Sequence, residues 1–127
     1  MITAILDGSV GHAEFVKEDY FGLSIPVSLN NVDDNVLNKR INDAKKITGN
    51  KPKVYKDYRR MLENKDIDAV VIGTPDHWHC LNLVDTLDSG KHAYCEKPLS
   101  NSIEEAYIML DASKKSDKCV QSYTMCF

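Results

Sequence analysis

The chain has 127 residues, 43% of them hydrophobic, the size of one globular domain with a single modest core and too short for a two-domain enzyme. Its formal net charge is -3 and its lysines and arginines are interleaved with acids, so no basic stripe offers itself to nucleic acid. No apolar run reaches the roughly 18 residues that span a bilayer, and Met1 is not followed by a basic stretch and an apolar signal core, so a cytoplasmic protein without a membrane partner is expected.

In chain order, Ile2 to Leu6 reads as a strand, Gly11 to Phe21 as a helix, and Ile25 to Leu29 as a second strand interrupted by Pro26, which cannot donate to a buried ladder. Asp33 or Asp34 can cap a helix whose apolar face is Leu37, Ile41 and Ala44 and which stops at Gly49. Asp57 can cap a short helix bearing Met61 and Leu62. Ile67 to Gly73 (IDAVVIG) is short, β-branched and apolar throughout, as expected of a central strand covered on both faces. The helix after it carries Leu81, Val84 and Leu87 on one face and closes at Gly90, where a left-handed residue belongs. Lys91 to Cys95 is the next strand. Ser102 and Glu105 then form a capping box ahead of a stripe of Ile103, Ala106, Tyr107 and Leu110, and a last strand spans about Lys118 to Tyr123.

From Val32 onward helices and strands alternate, and no repeat, low-complexity tract or linker divides the chain. The expected fold is α/β: a doubly wound, mostly parallel sheet with helices on both faces, Rossmann-like, as one domain over 1–127.

Two loops carry the chemical signal, Thr74-Pro75-Asp76-His77-Trp78-His79 and Glu96-Lys97-Pro98. Each follows a strand, and in an open parallel sheet ligands bind at the carboxyl ends of strands, so both loops are expected to open onto one crevice. Cys80, Cys95, Cys119 and Cys126 are widely spaced and form no C-x-x-C pair, which suits a reducing compartment. His77, His79, Cys80, His92 and Cys95 raise the alternative of a zinc site. The spacing argues against it: H-W-H-C crowds its candidates, and His92 and Cys95 fall on opposite faces of a strand, so no metal ligands are expected. Trp78 is read as a packing or loop-edge residue.

IDAVVIGTPDHWH followed by GKHAYCEKPL resembles the Gfo/Idh/MocA family of oxidoreductases, from about Val32 to about Thr124. The resemblance implies an N-terminal Rossmann domain for NAD or NADP, followed by an α/β domain that binds a small sugar, polyol or related carbinol. It implies that Lys97 is the catalytic lysine, directed at the nicotinamide and the reacting hydroxyl. A lysine partly desolvated in a cleft can orient or deprotonate an alcohol. By the same carry-over Glu96 and Pro98 shape the lysine loop, and Thr74, Pro75 and His79 line the dinucleotide site.

The chain departs from the family pattern in three places. The first strand-to-helix turn reads Leu6-Asp7-Gly8-Ser9-Val10-Gly11, so Gly8 and Gly11 stand for the second and third glycines of the phosphate turn, while Leu6 replaces the first. Asn31 stands where an acid is expected to bind the adenosine ribose, which leaves the preference between NAD and NADP open. The substrate domain has no counterpart within 127 residues. A lysine without a substrate clamp forfeits an orientation effect of roughly 7 to 11 kcal/mol, so turnover by this polypeptide alone is not expected. The competing reading is a non-catalytic Rossmann scaffold serving association or regulation without nucleotide. Apolar surface left uncovered at the sheet edge and the crevice leads us to expect self-association.

Overall fold

A computed structural model of the chain describes residues 2–7, 25–30, 34–49 and 53–122. Gly8, Gly11, Asn31 and Cys126, with the helix expected over Gly11 to Phe21, lie outside the described residues. The strands are β1 (Ile2–Asp7), β2 (Ile25–Asn30), β3 (Lys53–Tyr55), β4 (Ala69–Gly73), β5 (His92–Cys95) and β6 (Val120–Ser122). The helices are α1 (Asp34–Thr48), α2 (Tyr58–Leu62), α3 (Asp76–Asp88) and α4 (Ile103–Lys115). From α1 onward they alternate with the strands in the order expected.

Among the described residues, all six strands pair in parallel in the order β3-β2-β1-β4-β5-β6. The chain steps outward from β1 to β3, returns to β4 beside β1, and steps outward again on the other side. Right-handed crossovers therefore place α1 on one face and α3 and α4 on the opposite face. The sheet is doubly wound, and its switch point lies between the carboxyl ends of β1 and β4, where Asp7 pairs with Gly73.

Pro26 lies in a strand that has neighbours on both sides. The register slips there: Thr3 pairs with Pro26 but Ala4 with Ser28. A bulge of one residue absorbs the ladder bond that proline cannot supply.

β4 begins at Ala69 rather than Ile67. Ile67 is buried, yet its carbonyl accepts from Lys91 Nζ at 3.0 Å instead of joining the ladder. Lys91 likewise precedes β5, with its ammonium drawn inward between the carbonyls of Asn64 (2.9 Å) and Ile67. Burial lowers its pKa. Lys118 and Cys119 precede β6: their N–H groups donate to the side chains of Ser116 and His92, while the Cys119 carbonyl already accepts from the Ala93 N–H at 3.0 Å.

The helix ends follow local chemistry. Asp57 accepts from the Arg59 N–H at 3.0 Å and opens α2, which buries Met61 and Leu62. Gly49 and Gly90 end α1 and α3 with φ of 74° and 76°. Ser102 accepts from the Glu105 N–H at 3.2 Å, while the Glu105 carboxylate accepts from the Asn101 N–H at 3.0 Å.

The buried faces differ from the expected stripes. On α3 the buried residues are His79, Cys80, Asn82, Leu83, Thr86 and Leu87, and Leu81 is exposed. Three polar residues face inward because each has a partner there, so apolarity alone misplaces this face. On α4 only Met109 is fully buried, and Ile103, Tyr107 and Leu110 face outward. The core joins Met61, Leu62, Ile67, Val70, Ile72, Leu83, Leu87, Ala93, Cys95 and Met109.

Candidate functional site

The two chemical loops leave adjacent strands side by side. Ile72 of β4 is in register with Cys95 of β5, and the Glu96 N–H donates to Ile72 O at 3.0 Å, so pairing continues one residue past β5. Thr74-Pro75 and Glu96-Lys97-Pro98 therefore emerge together at the carboxyl edge of the sheet, next to the switch point.

The His79 side chain joins them. His79, in the first turn of α3, is 1% exposed; its Nε2 lies 2.7 Å from Thr74 O and its Nδ1 2.7 Å from Pro98 O. Both partners are carbonyls of the loops themselves, so the ring sits between the two loops; a neutral imidazole donates to one of the carbonyls and a doubly protonated one to both. Thr74 Oγ1 donates to Asn82 Oδ1 at 2.9 Å, and Asn82 is 2% exposed. Asn82 thus orients Thr74 from one turn further along α3. Sequence reasoning missed Asn82, although its place three residues after His79, on one helix face with Thr86, marks a polar row that only a buried network explains.

The loop surfaces face outward. Thr74 and Glu96 are half-buried, and Pro75, Lys97 and Pro98 are exposed. The Lys97 N–H donates to Glu96 Oε2 at 3.4 Å, and the Lys97–Pro98 peptide is cis. Lys97 is exposed, so the desolvation expected around it is not supplied by the described residues. Beneath the loop, burial and then the neighbouring Glu96 push the Cys95 thiol up to about 12, which makes it a packing group rather than a nucleophile.

No group of three or more His, Cys, Asp or Glu side chains converges as metal ligands among the described residues. His79 is engaged by two carbonyls, and His92 Nδ1 accepts from the Cys119 N–H at 3.0 Å. No helix among the described residues is long and apolar enough to cross a membrane.

A family model described as "Oxidoreductase family, NAD-binding Rossmann fold", that of Gfo/Idh/MocA, matches residues 34–124. The chain belongs to this family. Within the Gfo/Idh/MocA oxidoreductases, it is similar to myo-inositol 2-dehydrogenase from Lactobacillus plantarum, at 26% identity and a TM-score of 0.79, covering 97% of this chain and 36% of that one. It shares its fold with myo-inositol dehydrogenase from Lactobacillus casei, solved in complex with NAD(H) and myo-inositol, at a TM-score of 0.83 and 23% identity over 96% of this chain and 36% of that one. Among curated proteins it is 37% identical over 87 residues to "Glycosyl hydrolase family 109 protein 1" of Shewanella sp. (strain ANA-3), which is 65% of this chain and 19% of that protein. The chain thus spans about a third of the solved relatives and under a fifth of the curated ones.

Proposed function

We propose that this Gfo/Idh/MocA chain is the NAD(P)-binding domain of an oxidoreductase acting on a carbinol of a sugar, polyol or related compound, and that it does not turn over by itself. One observation carries the reading: the Thr74 and Lys97 loops are clipped together by His79 next to the switch point of a Rossmann sheet. The relatives named inositol dehydrogenase and those named glycosyl hydrolase have a polyhydroxylated ring in common, which supports the substrate class.

The crevice suits a nicotinamide dinucleotide, because the order of the strands reverses between β1 and β4, whose carboxyl ends lie side by side at Asp7 and Gly73. A bound nicotinamide supplies the hydride acceptor. Lys97 then orients the carbinol and takes its proton at Nζ, Glu96 and Pro98 set the direction of the lysine loop, and Thr74 and Pro75 border the dinucleotide. His79 acts from below, by fixing the spacing of the two loops. Gly8 and Gly11 contact the diphosphate and Asn31 the ribose in this reading. A second, substrate-binding domain completes the site and removes water from Lys97.

The test is titration of the folded chain with NADH and with NADPH, following nicotinamide fluorescence and melting temperature together, since a ligand of the native state must raise the latter. Saturable binding with a matching thermal shift is expected, and the preferred nucleotide settles the role of Asn31. A folded chain that binds neither at millimolar concentration overturns the reading in favour of a scaffold without nucleotide.

A further inference from the structure

Among the described residues, exposed large hydrophobics are concentrated in one place. Seven stand exposed, and five of them, Leu99, Ile103, Tyr107, Ile108 and Leu110, lie on α4 or the turn leading into it. Ile103 is 73%, Tyr107 68% and Leu110 48% exposed. At about 100° per residue, Ile103, Tyr107 and Leu110 form one stripe roughly opposite Met109 and Ala112, with which α4 meets the core. An open groove of about 460 Å³ lies alongside, lined by the same three residues with Ala106 and the Ser100–Ser102 turn. Contiguous apolar surface of this kind marks an association site rather than scattered exposure.

We propose that this stripe binds a second copy of the chain, with the two α4 helices antiparallel across a two-fold axis between Tyr107 and Leu110. A two-fold interface must be complementary to itself, and α4 is. Its first turn carries Glu104 and Glu105 and its last turn Lys114 and Lys115. Antiparallel pairing sets the acidic end of each helix against the basic end of the other, whereas parallel pairing opposes like charges. An axis midway between Tyr107 and Leu110 places Tyr107 on the second copy's Leu110 and Ile103 on its Lys114. Lys114 continues the stripe by one turn, so its aliphatic stem covers Ile103 while its ammonium reaches Glu104. Lys115 is already 4.0 Å from Asp111 of its own helix, which leaves Lys114 as the cation offered across the seam.

The surface is distinct from the sheet edge and crevice at which self-association is expected from sequence. It is also independent of nucleotide binding. A single helix pair buries less than the ~1,600 Å² of a standard interface, so a dissociation constant in the micromolar range or weaker is expected.

Sedimentation equilibrium of the full chain from ten micromolar to one millimolar tests the proposal, with far-UV circular dichroism to confirm that each variant is folded. Wild type is expected to follow a monomer–dimer equilibrium, and L110E to weaken it more than tenfold. E104K, which sets a cation against the second copy's Lys114, is expected to weaken the dimer several-fold, and E104K/K114E to restore it. A wild-type chain that stays monomeric at one millimolar, or a dimer insensitive to L110E, overturns the proposal; the stripe is then covered by another protein or the contact lies elsewhere. A dimer lost in L110E but indifferent to both charge variants overturns the antiparallel pairing.

Discussion

Replacing His79 with leucine removes the clip between the two loops while nearly conserving volume. The ring is 1% exposed and both its nitrogens lie 2.7 Å from backbone carbonyls, of Thr74 and Pro98. Leaving a buried acceptor without its partner costs about 1–3 kcal/mol, and these contacts are only partly buried, so a total of about 2–3 kcal/mol is expected. That is a large share of the ~5–15 kcal/mol by which a domain of this kind is stable. In urea unfolding, with a slope of about 1–3 kcal/mol per molar, the midpoint should fall by roughly 0.7–3 M with the slope unchanged. Leu83→Ala is the control: Leu83 is 1% exposed in the same helix, and its truncation costs a comparable ~2–5 kcal/mol through a cavity without touching either loop. NADH affinity should therefore fall further in His79→Leu than in Leu83→Ala. A His79→Leu protein within about 0.5 kcal/mol of wild type refutes the clip, because surface substitutions alone reach that size. Equal affinities in the two variants would sever the clip from the nucleotide site.

Three further outcomes are expected. Ser102→Ala removes the oxygen that accepts from the Glu105 N–H and should cost about 1 kcal/mol in chemical unfolding; no measurable loss would mean that water replaces the cap. Gly90→Ala meets nothing within 4 Å but must hold φ near 76°, so it should cost about 1 kcal/mol, a fall of about 3–6 °C in melting temperature, and Gly90→Asn should cost less. The third is alkaline destabilisation: the Cys95 thiol ionises near 9 when unfolded but at about 12 in the fold, through burial first and Glu96 second. Because the folded pKa is the higher, the stabilisation is complete below pH 9 and is lost as pH rises towards 12, by at most about 1.4 kcal/mol per pH unit. Tyr58, raised to about 12 by burial and by its hydrogen bond to Asp85, adds a loss that begins near pH 10. Cys95→Val should flatten the decline between pH 9 and 10 and leave the later one; an unchanged profile would show that the thiol does not titrate with unfolding.

Punctuation that acts within one turn of chain is legible in the amino-acid sequence. Asp57, the Ser102–Glu105 box, Gly49 and Gly90 mark helix ends through a single hydrogen bond or a single φ, so distant residues do not alter their meaning. The alternation from α1 to β6 is equally readable, because period and length separate buried strands from amphipathic helices. The loop pair is legible for a different reason: Thr74-Pro75 and Glu96-Lys97-Pro98 each follow a recognisable strand, and the ends of parallel strands gather on one edge.

Tertiary structure decides which face of a helix is inside. His79, Asn82 and Thr86 turn inward on α3 because the loop carbonyls, Thr74 and the helix's own backbone satisfy them, and Leu81 turns out in consequence. On α4 the stripe with the stronger apolar pattern is the one left exposed, and the helix docks through Met109 and Ala112. The bulge at Pro26 and the withdrawal of Ile67 and Lys91 from their strands depend in the same way on a neighbouring chain segment. Local sequence therefore determined where elements begin and end and which loops carry chemistry. Only the assembled fold decided what each side chain meets, because burial of a polar group is settled by partners that are distant along the chain.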